Sequence, residues 1–323
     1  MIKRVVARAY ANIALVKYWG KQPGFQNVPA TPSISLTLKA LRTETIIERK
    51  PGGDDIFIIN DKSTDRISTK RLTDYLNVWR TNKLIDGKYS IKSTNRFPTK
   101  SGLASSASGL AALSIGLSAF SRRKISSAKL SKLARIGSGS AARSIVGGLA
   151  SLPNTANPSA RLLIPFDEIP WGMVVVEVDK AEKEIGSRRG MELSRKFSPY
   201  YDAWVGCAER DYRRMLKAIQ VMDFTRVGEI TENNALAMHA CMIATRPSLL
   251  YWTSATVAIL QAVKRWRNQG LESYATIDAG PHVVILARQV DLEKVAGRAR
   301  RLKGVKSVMK SMPAGGAKII KCS

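Results

Sequence analysis

The chain has 323 residues, enough for one large domain or two modest ones with a full core. Its 45% apolar and 24% charged content is ordinary for a globular protein, but 52 lysines and arginines against 25 acidic residues leave a formal charge of +27. Such a balance points to nucleic acid or to a polyanionic small molecule; here the basic residues are scattered ("SRRK", "GSRRGM", "VKRWRNQ", "GRARRLKGVK"), with no zinc-finger spacing and no aromatic RNP-type stripe, so nucleic acid is not the expected partner.

In chain order, alternation in "TETIIERK" (43–50) and "DIFIIN" (55–60), joined through "PGGDD", predicts a β-hairpin. "SIKST" (90–94) predicts a further strand. From Leu103 the apolar residues Leu103, Ala107, Leu110, Leu113, Leu117 and Phe120 recur at helical spacing, so a helix is expected to about Phe120. A second helix follows over "SSAKLSKLARI", capped by Ser126 or Ser127 and ending at Gly137. "WGMVVVEVD" (171–179) reads as a buried strand, and long helical patterns fill 199–222 and 247–267. The remainder, "YATIDAGPHVVILA", a helix near 291–302, "VKSVM" and "AKIIK", alternates strand and helix in the α+β manner. No Pro/Ser linker marks a boundary near 180–195, so the expected organisation is two intimately packed lobes, 1–185 and 186–323.

Cys207, Cys241 and Cys322 lack metal-ligand spacing, which predicts thiols in a reducing cytoplasm and no protein-held metal. No run of about 18 apolar residues occurs, and the N-terminal stretch is too interrupted by charge for a leader or span, so no membrane is expected. With His239 and His282 the two histidines present, chemistry must lean on Asp, Lys, Arg and Ser.

The stretch "RFPTKSGLASSASGLAA" (96–112) is a small-residue loop running into a helix. Free backbone N–H groups and the positive end of the helix dipole make such a loop a nest for phosphate. It is neither a Walker loop nor a dinucleotide fingerprint, and a helix start chosen for close packing explains it equally well. Asp278, at a strand end before Ala-Gly-Pro, is on position alone first a turn former. Lys17 reads as a snorkelling strand-end lysine, and isolated arginines as solvated surface.

"PTKSGLASSASG" resembles the phosphate loop of the GHMP kinases through Pro98, Gly102, Leu103, Ser105, Ser106 and Ala107. "NIALVKYWGK" (12–21), "PSISLTL" (32–38), "RIGSGSAARSIVGG" (135–148), "GSRRGM" (186–191), "MHA" (238–240) and "IDAGPH" (277–282) are similar, in the same order, to the mevalonate diphosphate decarboxylases of that superfamily. The resemblance covers nearly the whole chain. It implies an α+β GHMP kinase fold, with a ribosomal-protein-S5-like N-terminal lobe and a ferredoxin-like C-terminal lobe around an active-site cleft, and it suggests a homodimer.

The implied reaction phosphorylates the C3 hydroxyl of mevalonate 5-diphosphate with ATP; phosphate and CO2 then leave, giving isopentenyl diphosphate. The resemblance makes Asp278 the residue that orients or deprotonates the hydroxyl, with Lys17 keeping it ionised. It assigns substrate binding to Asn12, Tyr18, Trp19, Gly20, Lys21, Arg71, Ser138, Gly139, Ser140, Ala141, Ala142, Arg143 and to Arg188, expected on a closing loop. It assigns ATP to Ser93, Asn95, Pro98, Gly102, Leu103, Ala104, Ser105, Ser106 and Ser187, with Mg2+ arriving on the nucleotide. The chain departs from the family pattern at Lys100, at His282 and at Thr31. Two alternatives share these residues, a mevalonate 5-phosphate decarboxylase and a kinase that stops after phosphorylation; a basic nucleic-acid binder on the same scaffold is the alternative of another class.

Overall fold

Two long strands open the fold in the computed structural model, which describes residues 2–24, 26–97, 105–178 and 185–323. β1 (Arg4–Val16) and β2 (Ser33–Lys50) pair antiparallel. The first half of β1 alternates buried and half-buried residues, but from Ala11 onward every residue is buried. There the strand leaves the core of its own sheet and enters one shared with the second sheet, which holds Ala11, Ile13 and Leu15.

The chain continues through β3 (Ile56–Ile59), β4 (Lys62–Ser63), α1 (Arg66–Thr81) and β5 (Lys88–Asn95). The hairpin expected between 43–50 and 55–60 does not form. β5 pairs antiparallel with β2 from Thr43↔Asn95 to Lys50↔Lys88, and β3 lies on the far side of β5, parallel to it. Alternation identifies both strands but carries no information about the partner. α1 supplies the crossover that parallel neighbours need.

Next come α2 (Ser105–Ser118), α3 (Ser127–Gly137) and α4 (Ala141–Val146). The small residues of α2 are mostly buried, and Gly116 shows why: a Cβ there would lie 2.6 Å from Ile47 and 3.2 Å from Ala7. Small side chains let α2 lie close against β1 and β2, so the packing explanation holds within the helix. The loop ahead of it is another matter, since Pro98, Lys100, Gly102, Leu103 and Ala104 lie outside the described residues. α3 begins at Ser126, whose hydroxyl accepts from the Lys129 amide, and ends at Gly137, as the sequence predicts. β6 (Leu149–Leu152) then pairs with β2, and β7 (Arg161–Ile164) with β6.

The second half contains β8 (Trp171–Val178), α5 (Ser187–Phe197), α6 (Tyr201–Gln220), α7 (Phe224–Ile243), α8 (Ser254–Asn268), β9 (Ser273–Ile277), β10 (Val283–Arg288), α9 (Leu292–Arg300), β11 (Val305–Ser311) and β12 (Lys318–Cys322). A four-stranded antiparallel sheet runs β11-β8-β10-β9, while β12 returns to pair with β1 at the edge of the first sheet. Sheet membership therefore crosses the 185/186 division. β8 is buried on both faces, which accounts for its unbroken valine run: Met173 and Val175 meet the core shared with β1, β2, α6 and α7, while Val174, Val176 and Val178 meet α8 and α9. The helix expected over 247–267 begins at Ser254, because Thr253 and Thr256 form a reciprocal capping box there. Sequence reading misses α7 because its buried face, although regular at i, i+3 and i+4, includes Gly228, Thr231, Asn234 and His239 and so carries a weak apolar signal.

α7 carries one contact that fixes its distance from the second sheet. A Cβ on Gly228 would overlap the ring of Tyr274, which is 2% exposed and has no room to retreat. Gly228→Ala is expected to lower unfolding stability by about 1–3 kcal/mol despite the better helix propensity of alanine. An unchanged urea midpoint would count against this packing.

Candidate active site

The site forms where residues just beyond β1 and β9 meet. Lys17 follows β1 and Asp278 follows β9, and the Lys17 Nζ donates to Asp278 Oδ1 at 2.7 Å. The ammonium is 1% exposed and the carboxylate 29% exposed, so the carboxylate faces the cavity and the ammonium lies behind it. Burial pulls the Lys17 ammonium below the ordinary lysine range; the Asp278 carboxylate opposes that shift and the Arg143 guanidinium adds to it. The backbone is pinned on both sides. Asn234 Oδ1 accepts from the Lys17 amide at 2.8 Å while its Nδ2 donates to Asp211 at 2.9 Å, and the Gly280 amide closes the turn onto the Asp278 carbonyl at 2.7 Å.

Asp278 and Lys17 line a cavity of about 180 Å3 together with Asn12, Tyr18, Trp19, Lys21, Arg71, Ser138, Gly139, Ser140, Arg143, Ser187 and Arg188. Of the residues expected to hold the substrate, the structure brings all to this cavity except Gly20, Ala141 and Ala142. The two alanines are fully buried behind the wall, and Gly20 packs instead against Tyr201 and Ala30. Asn12 does not touch the Lys17–Asp278 pair. Its Nδ2 donates to the Ser140 carbonyl and to Ser144 Oγ, and its Oδ1 accepts from Arg143, so it braces the opposite wall. Gly139 is needed for a protein neighbour: a Cβ there would overlap the Tyr18 ring.

Arg143 is 1% exposed, and among the described residues no carboxylate lies within ion-pair distance of it. It donates to Ser35 Oγ at 2.8 Å, to Ser33 Oγ and to Asn12 Oδ1, and burial lowers it to about 10. Neutral acceptors hold this guanidinium in place and leave its charge uncancelled. A hydroxyl chain, Ser106 to Ser138 at 3.2 Å and Ser138 to Ser140 at 3.2 Å, links the first turn of α2 to the segment ahead of α4.

A second cavity of about 490 Å3 adjoins the first. Ser93, Asn95, Ser105 and Ser106, assigned to ATP by the resemblance, line it, whereas Ser187 lines the smaller one. Phe57, Ile59, Leu72, Tyr75 and Val78 give it an apolar wall that no motif announces, because these residues look like ordinary core on β3 and α1. Lys21, Asn27, Arg71, Ser106, Gly137 and Arg188 line both cavities and so mark their junction. Arg188, expected on a loop, stands in the first turn of α5. Asn27 escapes sequence reading altogether; its one signal is a φ of 50°. His282, close in sequence, turns away and accepts from the Val178 amide at 3.1 Å. His239 is fully buried beside Trp252 and stays neutral, pushed to about 3 by burial with the Lys17 ammonium adding to the effect.

The two-sheet architecture with a cation-lined cleft is that of a GHMP kinase-fold enzyme acting on small phosphorylated molecules. Residues 9–160 match the diphosphomevalonate decarboxylase-like N-terminal domain and residues 173–318 the mevalonate 5-diphosphate decarboxylase C-terminal domain. The chain is 32% identical to the diphosphomevalonate decarboxylase of Candida albicans over 307 residues, 89% of this chain and 85% of that one. It superposes on the mevalonate diphosphate decarboxylase of Staphylococcus aureus with a TM-score of 0.93 at 34% identity, covering 99% of each chain. A solved complex of MDDEF with MVAPP, AMPPCP and magnesium gives a TM-score of 0.92 at 34% identity, covering 99% of this chain and 100% of that one. The chain belongs to the diphosphomevalonate decarboxylase family.

Among the described residues, no cluster of His, Cys, Asp and Glu could hold a metal ion, and no helix is long and apolar enough to cross a membrane. At the junction, Lys21 is lowered to about 8 by burial, with Arg188 and Arg71 adding to it and Glu192 opposing. Its charge is therefore lost as pH rises through about 8, and anion affinity at the junction falls with it. Calorimetry with inorganic diphosphate is expected to show several-fold weaker binding at about pH 9 than at about pH 7, with proton uptake between. Lys21→Met should flatten that part of the profile that diphosphate's own ionisation does not explain; an identical profile in the variant would contradict the assignment.

Proposed function

We propose that the protein catalyses the ATP-dependent decarboxylation of mevalonate 5-diphosphate to isopentenyl diphosphate. The observation that carries this reading is the Lys17–Asp278 pair, with its carboxylate turned toward a cavity whose other walls supply uncancelled cations. ATP lies in the larger cavity, its base against the apolar wall and its phosphates toward Ser105 and Ser106 at the start of α2. The acceptor occupies the smaller one. Their meeting point is the junction held by Lys21, Arg71 and Arg188, where charge on the transferring phosphoryl group needs stabilising.

Asp278 accepts or orients the proton of the C3 hydroxyl, and the oxygen attacks the γ-phosphorus of ATP as ADP leaves. The oxygen of Asp278 not engaged by Lys17 is the one available to it. In the second stage the C3–O bond breaks, its electron pair leaving with phosphate. The electrons of the C–CO2 bond then form the new double bond to C3, and CO2 departs. Arg143, buried and held by neutral oxygens, supplies positive charge to the anionic acceptor; Tyr18 and the Ser138–Ser140 segment shape its enclosure.

Mg2+ fits this site as a companion of the nucleotide. Hydroxyls at Ser105 and Ser106 are available as ligands, the described residues hold no acidic cluster, and the ion would offset phosphate charge. The free thiols at Cys207, Cys241 and Cys322 support a reducing, cytoplasmic setting. A homodimer completes the reading.

Purified protein offered ATP with mevalonate, its 5-phosphate and its 5-diphosphate separately is expected to release CO2 and phosphate with the diphosphate. Release with the 5-phosphate alone would overturn the substrate assignment, and ADP without CO2 would reassign the protein as a kinase. Asp278→Asn is expected to cut kcat by roughly 10^2–10^4-fold while AMPPCP binding stays near wild type; unimpaired turnover in that variant would remove the carboxylate from the mechanism.

A further inference from the structure

Asn27 has no place in the chemistry above, yet it is among the most heavily bonded residues at the junction. It is 8% exposed and held at φ 50°, a left-handed conformation that asparagine tolerates better than most residues. Its side-chain amide works in two directions. Nδ2 donates to the carbonyls of Ile136 at 2.7 Å and Arg135 at 3.2 Å, among the acceptors that the C-terminal end of α3 leaves open. Oδ1 accepts from Lys21 Nζ at 2.7 Å, and the Asn27 carbonyl accepts from the Tyr18 hydroxyl at 3.0 Å. This polarity fixes the amide orientation, since the reverse would set an NH2 group against an ammonium and an oxygen against two carbonyls.

The acceptor's neutrality matters as much as its position. Lys17 is tied to a carboxylate, but among the described residues Lys21 has no ion-pair partner. An amide oxygen can hold an ammonium still without cancelling its charge, so the field stays available to a ligand. An unheld lysine would have to give up rotamer freedom each time an anion bound.

We propose that Asn27 is a positioning residue that clamps the Lys21 ammonium to the C-terminal end of α3, fixing one cation at the boundary the two cavities share. Only the naming of those cavities rests on the proposed function; the clamp itself is defined by the hydrogen bonds and the shared lining.

The test is a double-mutant cycle read by calorimetry with inorganic diphosphate and, in parallel, by KM and kcat for mevalonate 5-diphosphate. Asn27→Gly keeps the left-handed backbone accessible and removes the amide. It is expected to weaken diphosphate binding and raise KM by roughly tenfold, with a smaller change in kcat. In a Lys21→Met background the same substitution should add nothing, because its effect runs through the ammonium. Asn27→Asp keeps an acceptor but places a carboxylate beside Lys21, so it should raise the Lys21 midpoint above about 8 and weaken diphosphate binding at least as much. Additive effects of Asn27→Gly and Lys21→Met, wild-type affinity in Asn27→Gly, or a wild-type protein that binds no diphosphate would overturn the clamp. Should Asn27→Gly fail to fold, the Lys21 midpoint in Asn27→Asp decides: a midpoint unchanged from wild type would show that position 27 does not touch the ammonium and would overturn the clamp. Non-additive diphosphate binding with no turnover of mevalonate 5-diphosphate would leave the clamp standing and overturn the functional reading.

Discussion

The ion pair between Lys17 and Asp278 ties the two halves of the molecule to one point. An ammonium taken wholly out of water costs several kcal/mol unless a partner is held at hydrogen-bond distance. Here that partner comes from 261 residues further along the chain, on the other sheet. Everything that sets the position of β1 relative to β9 therefore bears on the pair. The shared apolar core, with Ile13 and Leu15 from β1 against Val227 and Ile230 from α7, brings the strands together. Asn234, also on α7, locks the register by accepting from the Lys17 amide.

A division among the cations follows from their partners. Lys17 meets a carboxylate, that of Asp278, at 2.7 Å. Among the described residues, Arg143 meets hydroxyls and an amide oxygen and Lys21 an amide oxygen, and both are depressed by burial. Cations stored in this way are costly while the site is empty and are relieved by an anion, so part of the stability given up in the unliganded protein returns as affinity. The cavity that receives the anion is small, about 180 Å3, and is walled mainly by groups that can donate.

Much of this was legible in the sequence, and the boundary of legibility has physical causes. The strand and helix periods of β5, β8, α3 and α9 are local properties, and these elements stand where their patterns place them, while the alternation over 43–50 marks the second half of the longer β2. The pairing of β3 with β5 is not local: it depends on α1 crossing over, and alternation says nothing of that. At the site, Lys17, Asp278, Arg143 and the Ser138–Ser140 segment carry a recognisable motif and converge. The apolar wall of the larger cavity does not, because Phe57, Leu72 and Val78 differ from core residues only in facing an opening. Asn27 is invisible for another reason: its role depends on an α3 end whose Arg135 carbonyl is 108 residues away, and a single asparagine in a loop reads as a turn.

The segment Tyr18-Trp19-Gly20 shows how a short motif can be dictated by packing on both sides at once. Tyr18 needs Gly139 beneath its ring, Trp19 runs against Gly190 of α5, where a Cβ would come within 3.0 Å of the indole, and Gly20 must remain glycine beneath Tyr201 of α6 at φ 117°. Three consecutive residues thus meet, in turn, the segment ahead of α4 and then two helices of the second half. The Trp204 indole donates to the Trp19 carbonyl at 2.8 Å and closes the contact. A larger residue at position 139, 190 or 20 would overlap this wedge or its neighbours and displace the backbone next to Lys17. The glycines matter less for flexibility than for the thickness of the wall they create, because that thickness sets how far the buried ammonium lies from its carboxylate.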